Sequence, residues 1–337
     1  MRPRFGIDTG GTFTDFVSHG PSGPQVYKLR TTSEDPSDAI LRGLATMAGQ
    51  ARGLDVVHGS TVATNAVLER RGARVALITT AGFEDVIRIG RQTRPELYNI
   101  FVPPRLPIVD ADLTFGIPER LAADGSVLVP LDLRDVDRVS GLARERGAEI
   151  VAICLLHAYA NAAHERQVAS RLRSLGWQVS ASHEVLPQYR EFERCSTTVV
   201  NAYVTPLMDR YLARLQDGVA GSRLAIMQSN GGTISAAAAR AQAVRTVLSG
   251  PAAGVVGARA VARAAGMRRV ISFDMGGTST DVSLVDDQIG TSTESVIGDF
   301  PVRLPIIDIH TVGAGGGSLA AIDSGGALRV GPESAGA

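Results

Sequence analysis

An eight-residue segment occurs twice in this chain, and the repetition limits the folds that the chain can adopt. Residues 8–15 read DTGGTFTD and residues 274–281 read DMGGTSTD, so the two copies agree at six of eight positions. Each copy follows a β-prone run and precedes apolar or β-branched residues. The copies begin 266 residues apart, which is too far for a solenoid period. A duplicated domain with one copy in each half explains this spacing, and 337 residues suit about two domains.

Each copy is predicted to form a β-hairpin with glycines at its tip. Glycine lets a bulky anion approach the main chain, and successive N–H groups in such a turn form an anion-binding concavity. The threonine hydroxyls can bond phosphate oxygens, and the leading aspartates can hold hydrated Mg²⁺. Two facing hairpins would hold a triphosphate from both sides. Ordinary glycine turns are the alternative, which the near-identity of the two copies disfavours.

The composition excludes several other classes of protein. Lys28 is the one lysine among 34 basic residues, so a GxxxxGK[ST] phosphate loop does not occur. The 34 acidic residues balance the basic ones, which leaves no net field to attract nucleic acid or anionic lipid. Cys154 and Cys195 lack the spacing of a metal or redox motif. Apolar runs are too short for a membrane span and no secretory segment is visible, so we expect a cytoplasmic protein.

Short β-prone runs alternate with helix-like stretches, which predicts an α/β fold around a partly parallel sheet. The proline-rich stretch 94–130 is interpreted as an extended excursion from the sheet. The domain boundary is placed near residues 185–200, which gives domains 1–190 and 191–337. Predicted helix starts carry capping residues at Asp35, Asp132 and Asn161.

Three further glycine clusters are candidate ligand contacts. SNGG (229–232) follows a strand-like run, and SGPAAG (249–254) opens a helix whose N-terminus suits an anion. HTVGAGGGS (310–318) allows close backbone approach to a nucleotide base or ribose. The alternatives are an N-cap with tight helix packing for SGPAAG and a flexible loop for the last cluster. The nucleotide contacts predicted in that loop are Gly315, Gly316 and Gly317.

Six side chains are predicted to contact substrate. They are Thr64 and Asn65 near a helix start, Arg91 and Gln92 in an arginine-rich segment, and Asp308 and His310 as D-x-H along one strand. Arginine recognises carboxylate or phosphate bidentately, and D-x-H places both side chains on one face. The alternatives are an ordinary capped helix, a solvated surface and a structural role.

Taken in order, the hairpin DTGGTFTD, the segments HGSTVATNAVLERRGA and IGRQTRPELYN, then SNGG, SGPAAG, FDMGGTSTD and IDIHTVGAGGGS resemble the hydantoinase A / 5-oxoprolinase family. The resemblance extends over nearly all of the chain. The family includes subunits of acetone and acetophenone carboxylases. The resemblance implies the architecture of actin, Hsp70 and the sugar kinases, with two RNase H-like domains and ATP in the cleft between them.

The resemblance also assigns residues to this cleft. Asp8 and Asp274 become the catalytic carboxylates and the Mg²⁺ ligands. The implied nucleotide contacts are Gly10, Gly11, Thr12, Thr14 and Asp15 in the first copy and Gly276, Gly277, Thr278, Thr280 and Asp281 in the second. Family members look about twice as long, so this chain is expected to be a fragment, a truncated product or a short relative.

By resemblance, the activity is ATP-dependent phosphorylation of a cyclic amide, a hydantoin or a 5-oxoproline-like lactam, which permits ring opening. A hydantoinase B-type subunit or domain is the expected partner, in an oligomeric assembly. The alternatives are an ATP-dependent ketone carboxylase subunit and a non-catalytic ATP-gated module.

Overall fold

The computed structural model of this chain describes residues 2–20, 23–32, 35–49, 53–93, 98–101, 107–277 and 279–335. Within these ranges no helix is both long and apolar enough to cross a membrane. The predicted nucleotide contact Thr278 lies outside the described residues.

The first sheet begins with an antiparallel meander and continues with a parallel strand. Its first elements are β1 (Arg4–Thr9), β2 (Phe13–Gly20), β3 (Gly23–Arg30), α1 (Pro36–Ala48) and β4 (Asp55–Ser60). α1 starts where predicted, because the Asp35 carboxylate accepts the Ser37 N–H at 3.0 Å and proline follows the cap. It ends at Gly49, whose φ of 71° suits glycine. Its Gly43 faces the ring of fully buried Phe16, since a Cβ there would lie 2.1 Å from that ring.

A second, fully parallel sheet is inserted after β4. Its order is β10-β9-β5-β6, and the two central strands, β9 and β5, are buried along their whole length. The elements of this part are α2 (Val62–Leu68), β5 (Val75–Thr80), α3 (Val86–Ile89), β6 (Thr114–Ile117), β7 (Arg120–Leu121), β8 (Val127–Val129), α4 (Leu133–Glu145), β9 (Ile150–Cys154), α5 (Ala163–Ser174), β10 (Val179–Ala181), α6 (Ser182–Val185) and α7 (Glu191–Gly218).

Two predictions from the sequence concern this part: the excursion over residues 94–130 and the helix caps. The interpretation of 94–130 as an excursion is wrong at β6, which pairs with β5 inside the parallel sheet. The cap of α4 is confirmed, since Asp132 accepts the Arg134 N–H at 2.9 Å. In α5 the N-cap is Ala162, and Asn161, one residue earlier, accepts the Ala163 N–H at 3.0 Å.

The chain then returns to the first sheet. β11 (Arg223–Met227) pairs in parallel with β4, and β12 (Thr233–Ser235) closes the edge before α8 (Ala236–Ala241) and α9 (Ser249–Ala264). The sheet order is therefore β12-β11-β4-β1-β2-β3. The proposed boundary between residues 190 and 191 falls inside the region that builds this sheet, which takes strands from both sides of it.

The second copy of the repeat starts a separate sheet. β13 (Arg269–Met275) and β14 (Thr280–Asp286) form its hairpin, and a later strand pairs with the other edge of β14. The remaining strands are β15 (Gln288–Ile289), β16 (Thr291–Ser292), β17 (Ser295–Ile297), β18 (Phe300–Val302), β19 (Ile306–Ile307), β20 (His310–Val312), β21 (Ser318–Ile322) and β22 (Leu328–Ser334). The first half thus holds a meander followed by parallel strands, and the second half repeats the meander. The α/β fold of two RNase H-like, actin-like units is confirmed.

The repeat exposes a difference between the two halves. In β1, Phe5 and Ile7 are 4% and 3% exposed. The equivalent residues of β13, Ile271 and Phe273, are 69% and 64% exposed. β1 carries β4 on its outer edge, whereas among the described residues no strand pairs with the outer edge of β13. The face that the first half buries is therefore open in the second.

Matched substitutions in the two copies should give different results. Ile7→Ala is expected to lower the free energy of unfolding by about 2 to 3 kcal/mol, because it leaves a cavity in a packed core. Phe273→Ala should change it by less than about 0.5 kcal/mol, since the side chain is mostly solvated. Urea denaturation of both variants measures this. A large loss for Phe273→Ala would mean that the open face is covered in solution.

Candidate functional site

The first hairpin, β1 and β2 with the turn at residues 10–12, presents its two aspartates on one face. Asp8 pairs with Asp15 across the strands, and Thr9 pairs with Thr14. Because side chains alternate along a strand, the aspartates face one way and the threonines face the other. The turn closes through the Gly10 N–H, which donates to the Phe13 carbonyl at 2.9 Å.

The second hairpin, formed by β13 and β14, has the same construction. Asp274 pairs with Asp281, and Met275 pairs with Thr280. The Gly276 N–H donates to the Ser279 carbonyl at 2.9 Å, which is the equivalent bond at the same distance. The sequence repeat is therefore a structural repeat with conserved register and turn.

Two of the predicted phosphate contacts face away from the cleft. Thr14 is fully buried, and its hydroxyl lies 3.0 Å from that of Thr31, which itself donates to the Gly10 carbonyl. Thr280 is 5% exposed and donates to the Ala314 carbonyl at 2.6 Å. The sequence interpretation of these hydroxyls needs correction, because both fasten their hairpin to a following segment. Thr12, by contrast, lies exposed at the first turn.

Asp8 occupies a crowded position at the mouth of the first hairpin. A Cβ added to Gly59 or Gly250 would lie 3.1 or 3.2 Å from its Oδ1, so both glycines make room for the carboxylate. Although Asp8 keeps contact with solvent, desolvation by these neighbours is the largest cause that raises its pKa to about 6. The charges of Asp15 and Asp274 raise the pKa further, while the Thr9 backbone hydrogen bond lowers it. The charge of Asp274 on the second hairpin therefore acts on the Asp8 carboxylate.

This pKa makes a prediction for the free protein. Because folding raises the pKa of Asp8 from 3.8 to about 6, the charged carboxylate costs stability above pH 6. That cost disappears as the pH falls from 6 toward 4. We expect Asp8→Asn to stabilise the chain at pH 8 by about 1 kcal/mol, after discounting the shift for solvent screening. Thermal unfolding in EDTA at pH 8 and pH 4 checks this, and an equal effect at both pH values would contradict it.

The SGPAAG segment forms the start of α9 and docks on the end of β4. The Ser249 hydroxyl donates to the Ser60 carbonyl at 3.1 Å and lies 3.3 Å from the Ser60 N–H. Gly250, in the first turn of α9, therefore lies beside the Asp8 carboxylate. This places the positive end of the helix dipole at the cleft. Thr64 is 7% exposed, and its hydroxyl accepts the Leu248 N–H at 2.8 Å. The structure thus uses Thr64 to hold the start of α9.

The glycine-rich loop at residues 313–317 forms hydrogen bonds to the second hairpin. The Gly316 N–H donates to the Gly276 carbonyl at 2.9 Å, and the Gly317 N–H donates to the Gly277 carbonyl at 2.7 Å. The Gly315 N–H donates to the Ser318 hydroxyl at 2.8 Å. All three N–H groups therefore have partners in the protein, and a ligand contact from this loop would use other atoms.

Three further residues that the sequence predicts to contact substrate are Arg91, Gln92 and Asn65. Arg91 donates through Nε to the Glu193 carboxylate at 2.8 Å, so it pairs with α7. Gln92 has φ 54°, and Asn65 lies half-buried with its Nδ2 3.5 Å from the Thr61 hydroxyl. Arg91 also lies 3.7 Å from the carboxylate of Glu294, which lines a cavity beside the second hairpin, whereas no contact that the structure describes brings Gln92 or Asn65 there.

Asp308 and His310 do not share one strand, because β19 ends at Ile307 and β20 begins at His310. Asp308 lines a cavity beside the second hairpin together with Asp281. His310 is not among the residues that line this cavity; it is exposed and pairs with Val282. The prediction that both point to one face of a strand is therefore wrong.

A divalent cation would find two opposed carboxylates here. The described residues contain no group of three or more His, Cys, Asp and Glu side chains that could hold a metal by itself. Asp8 and Asp274 would therefore supply only part of a coordination shell, and Mg²⁺ commonly takes the rest from phosphates and water. The crowding of negative charge around Asp8 fits a bound cation, which would relieve it.

Sequence reasoning misses Gly59 and Thr31 as parts of the site. Gly250 belongs to SGPAAG, which the sequence predicts to be a helix start that suits an anion. Gly59 and Thr31 carry no such signal, because their roles depend on contacts between segments far apart in the sequence.

Comparison with known proteins identifies the family to which this chain is similar. The family model for the hydantoinase/oxoprolinase N-terminal region matches residues 4–176, and the hydantoinase/oxoprolinase model matches residues 194–337. Caprolactamase subunit alpha of Pseudomonas jessenii is 37% identical over 353 residues, covering 99% of this chain and 51% of that protein.

Two solved structures have the same fold. The crystal structure of ATP-dependent caprolactamase from Pseudomonas jessenii matches with a TM-score of 0.86 and 36% identity, over 99% of this chain and 51% of that one. The nucleotide-free structure of acetone carboxylase, from work on ATP-dependent acetone carboxylation, matches with a TM-score of 0.83 and 28% identity, over 100% and 52%. The chain spans about half the length of these relatives.

Proposed function

Since the chain belongs to the hydantoinase/oxoprolinase family, we propose that it binds Mg²⁺-ATP between its two hairpins and phosphorylates the carbonyl oxygen of a cyclic amide. The observation that carries this proposal is the pair of equivalent hairpins whose leading aspartates, Asp8 and Asp274, lie close enough to repel each other. A cation between these two negative charges would relieve their repulsion and would in turn attract the phosphates of a nucleotide.

The residues of the cleft have separate tasks in this proposal. Asp8 and Asp274 hold the hydrated cation. The turn at Gly10 and Gly11 and the start of α9 offer backbone N–H groups and the helix dipole to the phosphate oxygens. Nothing in the protein lies within 4 Å of a Cβ built on Gly11, so the main chain there is open to a ligand.

The chemistry follows from the inertness of amides. Resonance lowers the electrophilicity of a lactam carbonyl, and phosphorylation of its oxygen makes the carbon susceptible to water. The bound cation would neutralise the charge of the transferring phosphoryl group. The chain itself supplies positioning and fixed dipoles, which account for most of the catalysis that phosphoryl transfer requires.

A ketone carboxylase subunit is the second candidate function. It is favoured by the structural match to acetone carboxylase at a TM-score of 0.83. The same cleft would then activate a reactant for carbon–carbon bond formation. ATP turnover that depends on bicarbonate and a ketone would identify this activity, whereas turnover that depends on a lactam and water would identify the first.

A partner subunit fits the proposal. The matched caprolactamase protein is itself called a subunit, and this chain spans about half of it. We propose that a hydantoinase B-type subunit or domain completes ring opening after the carbonyl oxygen has been phosphorylated. The cation proposed here is Mg²⁺, and cytoplasm remains the compartment that we expect.

The proposal is tested first by nucleotide binding. Mg²⁺-ATP at a hundred times its dissociation constant should stabilise the chain by about 2.7 kcal/mol, which is a shift of several degrees in melting temperature. EDTA should remove the shift. Ring opening of lactams and hydantoins by this chain alone should be weak or absent. No shift at millimolar ATP would contradict the two-hairpin site, and robust ring opening without an added subunit would contradict the need for a partner.

A further inference from the structure

A small, partly open cavity adjoins the proposed nucleotide cleft. Its volume is about 140 Å³, and it lies between the start of α9 and the strands β16 to β20. Its lining includes Leu248 and Pro251 on one side and Asp281, Glu294, Asp308 and Thr311 on the other. We call it the acidic cavity. Pro251 and Asp281 also line a larger open groove of about 460 Å³ that includes Asp274, so the cavity is continuous with the second hairpin.

The size of the acidic cavity suits one small ring. A protein cavity of about 150 Å³ accommodates benzene, which has six heavy atoms. Apolar side chains form much of the wall, from Leu248 and Pro251 to Ile306, Ile307 and Ile309. Such a wall favours the methylene groups of a saturated ring over a hydrated chain.

The charges of the cavity are all of one sign. Asp281, Glu294 and Asp308 contribute carboxylates, and no lysine, arginine or histidine stands among the described residues that line it. Asp281 accepts the Thr311 hydroxyl at 2.6 Å. Glu294 is neutralised from outside the cavity by Arg190 at 2.6 Å and Arg91 at 3.7 Å, so Asp281 and Asp308 carry the uncompensated charge of the cavity. No donor among the described residues contacts the Asp308 carboxylate, which leaves it as an acceptor for a ligand.

We propose that the acidic cavity binds the ring of the cyclic amide and selects rings that carry no carboxylate. This inference rests on the proposed function. The Asp308 carboxylate accepts the ring N–H, the isoleucine and proline side chains contact the methylenes, and the shared edge at Asp281 leads toward the phosphoryl group. A ring that bears a carboxylate, such as 5-oxoproline, meets the like charges of Asp281 and Asp308, which no arginine neutralises, whereas a neutral lactam of the same ring size meets none of this repulsion.

Ligand-observed NMR on the whole 337-residue chain tests the inference with 2-pyrrolidinone and 5-oxoproline, two rings of equal size. We expect 2-pyrrolidinone to bind at least tenfold more tightly. Asp308→Asn keeps an acceptor oxygen but removes a charge, so it should bring 5-oxoproline closer to 2-pyrrolidinone by at least threefold. Asp217→Asn, the same change at an exposed position of α7, should alter neither affinity.

The outcomes separate the inference from the proposed function. Equal affinities, or tighter 5-oxoproline, overturn the selection by charge, and an Asp308→Asn variant that leaves the ratio unchanged overturns the role of Asp308. Mg²⁺-ATP binding without ring binding overturns the cavity as a ring site and leaves the nucleotide site standing. Ring binding without any Mg²⁺-ATP binding contradicts the proposed function and leaves the cavity standing.

Discussion

Mg²⁺-ATP binding should fall at least a hundredfold when Asp8 is replaced by alanine, and by a similar factor when Asp274 is replaced. In the proposed site these two carboxylates hold the cation from opposite hairpins, so neither can compensate for the other. A hundredfold loss corresponds to about 2.7 kcal/mol. Isothermal titration calorimetry with ATP in excess Mg²⁺ measures it directly, and circular dichroism establishes that both variants stay folded.

Asp15→Ala is the matched control for this experiment. Asp15 lies across the first hairpin from Asp8, but its carboxylate pairs with Lys28 at 3.1 Å and its side chain is 41% exposed. We expect its removal to change the affinity for Mg²⁺-ATP by less than tenfold. Unchanged affinity in both the Asp8 and the Asp274 variant would refute the two-hairpin model, and loss in only one would place the cation on a single hairpin.

The hairpins were predictable because the same octad appears twice in a β-prone context. The octad alone does not determine how many residues form each turn. That number decides which side chains face the cleft. With Asp8 paired to Asp15, Thr14 must point into the protein, where it meets Thr31. One further residue in the turn would have reversed this assignment, since strand side chains alternate.

The surroundings of Asp8 were beyond sequence reasoning for a different reason. Gly59 and Gly250 approach it from β4 and from the start of α9, at distances along the chain that no local pattern reports. The same holds for Arg91, whose partner Glu193 lies 102 positions away on α7. Local propensity also failed at β6, because nearby prolines concealed a four-residue strand that tertiary pairing with β5 stabilises.

Gly11→Val should lower the affinity for Mg²⁺-ATP about a hundredfold while leaving the fold intact. A Cβ built on Gly11 meets no protein atom within 4 Å, and the residue has no positive φ, so the chain itself tolerates a side chain there. The only expected cost falls on a ligand that approaches the main chain, because two methyl groups would occupy its path. Calorimetry with Mg²⁺-ATP and urea denaturation of the same sample separate the two effects.

Two companion variants decide what the Gly11 result means. Gly141→Val adds the same side chain at another open position, in α4, and should leave nucleotide affinity unchanged. Thr14→Ala removes a buried hydroxyl that fastens the hairpin to Thr31, so it should cost about 1 kcal/mol of stability and little affinity. If Thr14→Ala weakened Mg²⁺-ATP binding more than Gly11→Val does, the hydroxyls and not the open backbone would hold the phosphates, and the buried position of Thr14 would have to change when the nucleotide binds.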